Sequence, residues 1–228
     1  MRYNGECDKD GCDFQTNRLE NPTAPAEPSY YGPGKKVDTT QPLTVHTQFI
    51  TSDNTPNGDL VEIRRYYEQP PNSGTFIDNM VWQDDSGCHH KSLTDSFCHK
   101  FVDAVGEKHE HEQGGFIAKG NMKGMGEAMK LGMVLVLSLW NDWEVQMDWL
   151  NSNPFPNKMG ADGKPHFGTF RGPCEPNKYD RDFTEAAGFR ENRKTSFSDI
   201  KVTGIGSGGV PNKYADGSTW KAECKAAR

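Results

Sequence analysis

Apolar and polar positions alternate most regularly over residues 43–51, where Leu43, Val45, Thr47 and Phe49 stand against Thr44, His46, Gln48 and Ile50. This two-residue period is that of a strand. The turn formers Asp53-Asn54-Thr55-Pro56-Asn57-Gly58-Asp59 follow, and Leu60–Glu68 resumes the alternation with Ile63, Arg65 and Tyr67 on one face. The pattern predicts an antiparallel hairpin. In Ser92–Gly106 the apolar residues Leu93, Phe97, Phe101 and Val105 recur every four positions, which predicts a short amphipathic helix with Ser92 as its cap and Gly106 as its stop. A weaker helix is expected over Phe116–Lys130, where Gly120, Gly124 and Gly126 each cost about 1 kcal/mol relative to Ala. Met133–Leu139 is an apolar run of strand length, expected as a core strand buried on both faces. Phe197–Ile205 reads as a last alternating strand.

Paired strands, long loops and one or two short helices make an all-β class the expectation: an antiparallel β-sandwich of jelly-roll type. Composition sharpens this. Leu, Ile, Val and Phe together number 38 of 228 residues, thin for a closed sandwich of that length, so the sheet is expected to be incomplete. The 24 aromatic residues, five of them Trp, and a net charge of only −6 argue for an ordered polar domain over a disordered chain. Residues 1–206 are read as the domain and 207–228 as a Gly-rich tail that need not be packed.

Charge and cysteine usage remove several functions. No apolar run nears the roughly 18 residues of a membrane helix, and 26 basic residues scattered among 32 acids leave no footprint for a phosphate backbone. Neither a membrane nor nucleic acid is expected as a partner. Cysteines at 7, 12, 88, 98, 174 and 224 lack paired CxxC spacing, which disfavours zinc and favours dispersed disulfides in an oxidising compartment. Against that, Met1 is followed by no secretory leader pattern.

Two clusters carry chemistry. Ser138–Asn151 holds Trp140, Trp143 and Trp149 among Asp and Asn. Indole faces beside such donors and acceptors suit a pyranose, and ordinary packing stays open beside that reading. Arg2, Asp8, Asp10, Asp13 and Arg18 surround Cys7 and Cys12, either as fixed partners for sugar hydroxyls or as a solvated ion-pair loop. Arg171 sits in a similar way beside Cys174. The mixed His/Glu run at His109–Glu112 and the pair His89-His90 could hold a transition metal, but such runs are ordinarily solvated loops, and neither a metal nor another cofactor is assigned.

Cys7-Asp-Lys-Asp-Gly-Cys12-Asp13, Tyr31-Gly-Pro-Gly34, Gly132–Asp142, Met147-Asp-Trp149-Leu, Arg171-Gly-Pro-Cys174 and Phe197-Ser-Asp-Ile200 occur in this order. Together they resemble the family-7 glycoside hydrolases, secreted cellulases on a concanavalin-like jelly roll. The resemblance covers about residues 2–206. It implies a monomer acting on cellulose or β-1,4-glucan with retention. It further implies that Trp140 is a stacking platform two subsites before the cleaved bond and Trp149 the platform just beyond it, while Arg2, Asp10, Asp13, Arg18 and Arg171 grip the leaving cellobiose. Asn151 and Phe155 stand where cellobiohydrolases of the family carry Asp and Tyr. It also implies a Cys12–Cys98 disulfide, and partners for Cys7 and Cys174 in a part of the domain outside this chain.

The family's catalytic strand reads Glu-x-Asp-x-x-Glu, supplying nucleophile and acid/base, which a retaining enzyme holds about 5–5.5 Å apart. Of 14 Glu, only Glu6 has Asp at the second following position, and three residues beyond Asp8 stands Gly11. No catalytic residue is therefore assigned. The chain is expected to be the later portion of a secreted cellulase domain, inactive by itself and supplying subsites; the alternative is a non-catalytic glucan-binding protein with the same cleft.

Overall fold

The computed structural model describes residues 11–20, 29–70, 76–78, 81–105, 115–139, 150, 152, 163, 168, 171, 172, 175 and 194–205. Helix α1 (Thr16–Glu20) is followed by the two-residue strands β1 (Tyr31–Gly32) and β2 (Val37–Asp38), which pair in parallel. The principal hairpin is β3 (Thr44–Thr51) with β4 (Leu60–Glu68), antiparallel, with Val45 opposite Tyr67, Thr47 opposite Arg65 and Phe49 opposite Ile63. The far side of β4 is shared. β5 (Phe76–Asp78) pairs at its Tyr66–Glu68 end, and β8 (Leu93–Thr94) pairs at Glu62 and Ile63. β6 (Trp82–Gln83) and β7 (His89–His90) form a small ribbon. Helices α2 (Asp95–Val105) and α3 (Asn121–Lys130) complete the described elements.

The hairpin's two faces differ as the alternation predicts. On one, Arg64 forks both carboxylate oxygens of Glu62 at 2.9 Å, Ser92 Oγ donates to Glu62 at 2.8 Å, and His46 stacks on Tyr66 with ring centroids 4.7 Å apart. The other carries the exposed apolar residues Val45 and Phe49, with Val61 in the same phase. The principal core lies elsewhere: α2 buries Phe97, Cys98, Phe101 and Val105 against Trp82 and Leu19. A second cluster joins Tyr30, Val37 and Tyr67.

Four expectations need correction. The α2 cap is Thr94, whose hydroxyl accepts from Phe97 N at 3.1 Å, because the Ser92 hydroxyl is taken by Glu62 across the sheet. The second helix starts at Asn121, since Gly120 is left-handed (φ 94°); Asp95 then accepts from Met122 N at 2.9 Å and binds the start of α3 to α2. Gly126 is required by close approach, as a Cβ there would stand 2.6 Å from Leu60 Cβ. Met133–Leu139 is unpaired and exposed, where a doubly buried core strand was expected. Likewise Phe197–Ile205 forms no strand, and Phe197, Ile200 and Val202 are exposed. Neither segment has a pairing partner among the described residues. The tail at 207–228 lies outside the described residues.

The size of that exposure is informative. Seven apolar side chains between Leu131 and Leu139 are 46–90% exposed. At about 1.5–3 kcal/mol for each such side chain fully covered, the burial forgone is on the order of 10 kcal/mol, as large as the roughly 5–15 kcal/mol that holds a whole domain folded.

Candidate functional site

The candidate site is built on the covalent joint between the first loop and α2. Cys12 and Cys98, 86 positions apart in sequence, form the expected disulfide with Cα atoms 5.5 Å apart. Closing a loop of that length removes about 4.6 kcal/mol of unfolded-chain entropy in the loop-closure model. Cys98 is buried in the α2 core, and Phe14, two residues beyond Cys12, packs on Phe97 at 4.8 Å. The loop is thus anchored on both sides of Asp13. Cys88 is disulfide-bonded too.

Asp13 and Arg18 form one unit. Arg18 Nη1 donates to Asp13 Oδ1 at 3.0 Å, Nε donates to the Gly168 carbonyl at 3.1 Å, and the guanidinium lies 5.0 Å from the Phe101 ring centroid. The Arg18 side chain is 6% exposed, that of Asp13 50%. The two charges are therefore not equivalent: the guanidinium sits inside the protein and fixes a carboxylate that faces solvent.

One further bond brings the distant segment to this unit: Gln15 Nε2 donates to the carbonyl of Leu150, the residue after Trp149, at 3.2 Å. Arg171 N donates to the carbonyl of the buried Ser152 at 2.9 Å, within that later segment. Arg2, Asp10, Trp140 and Trp149 lie outside the described residues. Gln15 and Gly168 were not singled out from the sequence; one is a lone polar residue just before a short helix and the other supplies only its carbonyl, so neither leaves a signal.

Of the histidines weighed for a metal, His89 is exposed, while His90 is buried, stacks on Trp82 at 5.3 Å and bonds Asp84 at 3.1 Å. His109 and His111 lie outside the described residues. Asp84 closes its turn by accepting from Ser86 Oγ, Ser86 N and Cys88 N as well. The Ser86 hydroxyl above all, with His90 and the two amides, holds its carboxyl well below the usual range against the opposing effect of burial.

Residues 1–208 match the family model for Glycosyl hydrolase family 7. Among solved structures, the GH7 family cellobiohydrolase from Daphnia pulex superposes with a TM-score of 0.63 at 40% identity, over 81% of this chain and 38% of that one. An endocellulase EGI variant from Humicola insolens gives 0.55 at 27% identity, over 80% and 37%. The described strands are accordingly those of the all-β jelly-roll sandwich of that family. The chain belongs to glycosyl hydrolase family 7. It spans under two-fifths of the length of the two relatives described.

Proposed function

We propose that this chain is the subsite-bearing portion of a secreted family-7 cellulase that cleaves β-1,4-glucosidic bonds with retention. Its role is to hold glucan, and the carboxylates that do the chemistry come from elsewhere in the domain. The observation that carries this reading is the joint at the Cys12–Cys98 disulfide, where Arg18 holds both Asp13 and the Gly168 carbonyl and Gln15 holds the Leu150 carbonyl. A half-exposed carboxylate fixed by a buried guanidinium is a preorganised acceptor for a sugar hydroxyl, because its orientation is set before binding. Asp13 is then the contact and Arg18 its positioning residue, with Arg171, Arg2 and Asp10 completing the product side and Trp140 and Trp149 stacking the sugar faces. A buried disulfide suits an extracellular protein.

Calorimetric titration of the full chain with cellobiose tests this. Asp13→Asn is expected to weaken binding about tenfold, or ~1.4 kcal/mol, with the circular dichroism spectrum unchanged. No soluble sugar is released from cellulose by the chain alone. Equal affinities of the wild type and the variant remove the subsite reading, and sugar release abolished by Glu62→Gln removes the assignment of chemistry to another part of the domain. The second reading, a non-catalytic glucan-binding protein, is favoured by the lack of Glu-x-Asp-x-x-Glu among the 14 Glu. An in-frame copy of that motif upstream in the transcript decides against it.

A further inference from the structure

We infer that Asn57, at the tip of the β3–β4 hairpin, is a site of spontaneous deamidation, and that Lys130 of α3 directs the product toward isoaspartate. The inference stands apart from the glucan reading. Asn is among the thermolabile residue types, and here it precedes Gly58, so no side chain shields the peptide nitrogen between them. Asn57 is exposed, and its side-chain amide makes no hydrogen bond among the described residues. Its Cγ is free to turn onto Gly58 N. Packing keeps the glycine there: a Cβ at 58 would run into the Asp53 carboxylate and stand 3.0 Å from Thr51 Cβ. That carboxylate is itself fixed, accepting from Thr55 N at 2.9 Å.

The reaction begins when Gly58 N gives its proton to hydroxide. The nitrogen attacks Asn57 Cγ; the N–Cγ bond forms, the Cγ–Nδ2 bond breaks, and Nδ2 leaves as ammonia with a proton taken from water. A five-membered imide results. Two features of the turn favour this step. Gly58 N is held by Thr55 O at 3.2 Å, the long end of the N–H···O range, and the same oxygen also accepts from Thr51 Oγ1 at 2.7 Å. Lys130 Nζ donates to Asn57 O at 3.0 Å. That oxygen shares a peptide unit with the Gly58 N–H, so the negative charge left by the proton spreads onto it and meets the ammonium. The Asp53 carboxylate opposes this charge only through solvent, since it makes no hydrogen bond to that peptide unit.

Water then opens the imide at one of its two carbonyls. Addition at the former main-chain carbon of Asn57 breaks its bond to Gly58 N, which takes up the proton, and frees an α-carboxylate; the chain now runs through Cβ and Cγ as isoaspartate. Addition at Cγ gives aspartate. Lys130 polarises the first carbonyl and ends paired with the carboxylate formed there. Overall the side-chain amide and one water become a carboxylate and ammonium, which adds one negative charge to the net −6.

The test holds the full chain at pH 8 and 37 °C for several weeks and follows the tryptic peptide 37–64 by mass spectrometry. A gain of one mass unit at Asn57 is expected, with isoaspartate, identified by electron-transfer fragmentation, exceeding aspartate. Lys130→Met should slow the gain at least threefold and lower the isoaspartate share; Lys130→Arg, which keeps a cation at the carbonyl, should retain both. In urea all three chains should react alike, because the hydrogen bond from α3 is then gone. No gain at Asn57, a gain at Asn54 alone, or the same rate or the same isoaspartate share in folded wild type and Lys130→Met overturns the inference. A difference between those two that persists in urea overturns it as well.

Discussion

Replacing Arg18 by Leu removes the guanidinium while keeping an apolar side chain in its place, and the surroundings of that residue set the size of the effect. The Gly168 carbonyl, buried, loses its Nε–H donor, at about 1–3 kcal/mol. The contact over Phe101 accounts for about 0.5–2 kcal/mol. The pair with Asp13, whose carboxylate is half exposed, adds only about 0.2–1 kcal/mol. Burial of the leucine returns part of this, for a net loss near 3 kcal/mol, a roughly hundred-fold change in the unfolding constant. For a chain of this size that corresponds to about 6–12 °C in Tm. Asp13→Asn, by contrast, costs under about 1 kcal/mol. Urea unfolding followed at 222 nm, where α2 reports, measures both, and amide exchange in α2 checks that the loss is in this core. Equal losses for the two variants refute the view that Arg18 is held from inside and Asp13 presented to solvent.

Two further predictions concern the frame around the site. Because the Asp84 carboxyl is depressed in the folded protein, its contribution is complete above its unfolded value near pH 4 and is lost as pH falls below it. Asp84→Asn should therefore lower stability at pH 7 and flatten the acid limb of a Tm profile taken between pH 2 and 6; an unchanged acid limb removes the argument. Gly126→Ala adds helix propensity worth about 1 kcal/mol yet forces a methyl against Leu60 Cβ, so it should lower Tm, and a rise would show that α3 can move off the hairpin.

What the sequence revealed divides by range. The β3–β4 hairpin was legible almost to the residue, since alternation and a Pro/Asn/Gly turn are both local. The four-residue spacing of Phe97, Phe101 and Val105 likewise located α2. Its cap was misread because the competition between Ser92 and Thr94 is decided by Glu62, thirty positions away. Met133–Leu139 was read as a strand buried on both faces, whereas its apolar side chains are exposed and no described residue pairs with it: burial depends on neighbours that a run of apolar residues does not name. The cluster of opposite charges pointed to an ion pair, and Asp13 and Arg18 form one. Which of the two faces solvent depended on Gly168 and Phe101, and neither contact is visible in sequence spacing.

The Cys12–Cys98 bond has a topological consequence besides its stabilisation. All eight described strands lie between the two cysteines, so they occupy a closed covalent ring. A protease that cuts the exposed hairpin tip at Asn54–Asn57 opens the ring and releases nothing. Under tension applied at the chain ends, the ring withholds 86 positions, about 300 Å of contour, and the load passes through sulfur instead of the sheet. The loop that presents Asp13 thus stays tethered to α2 after the backbone between them has been cut.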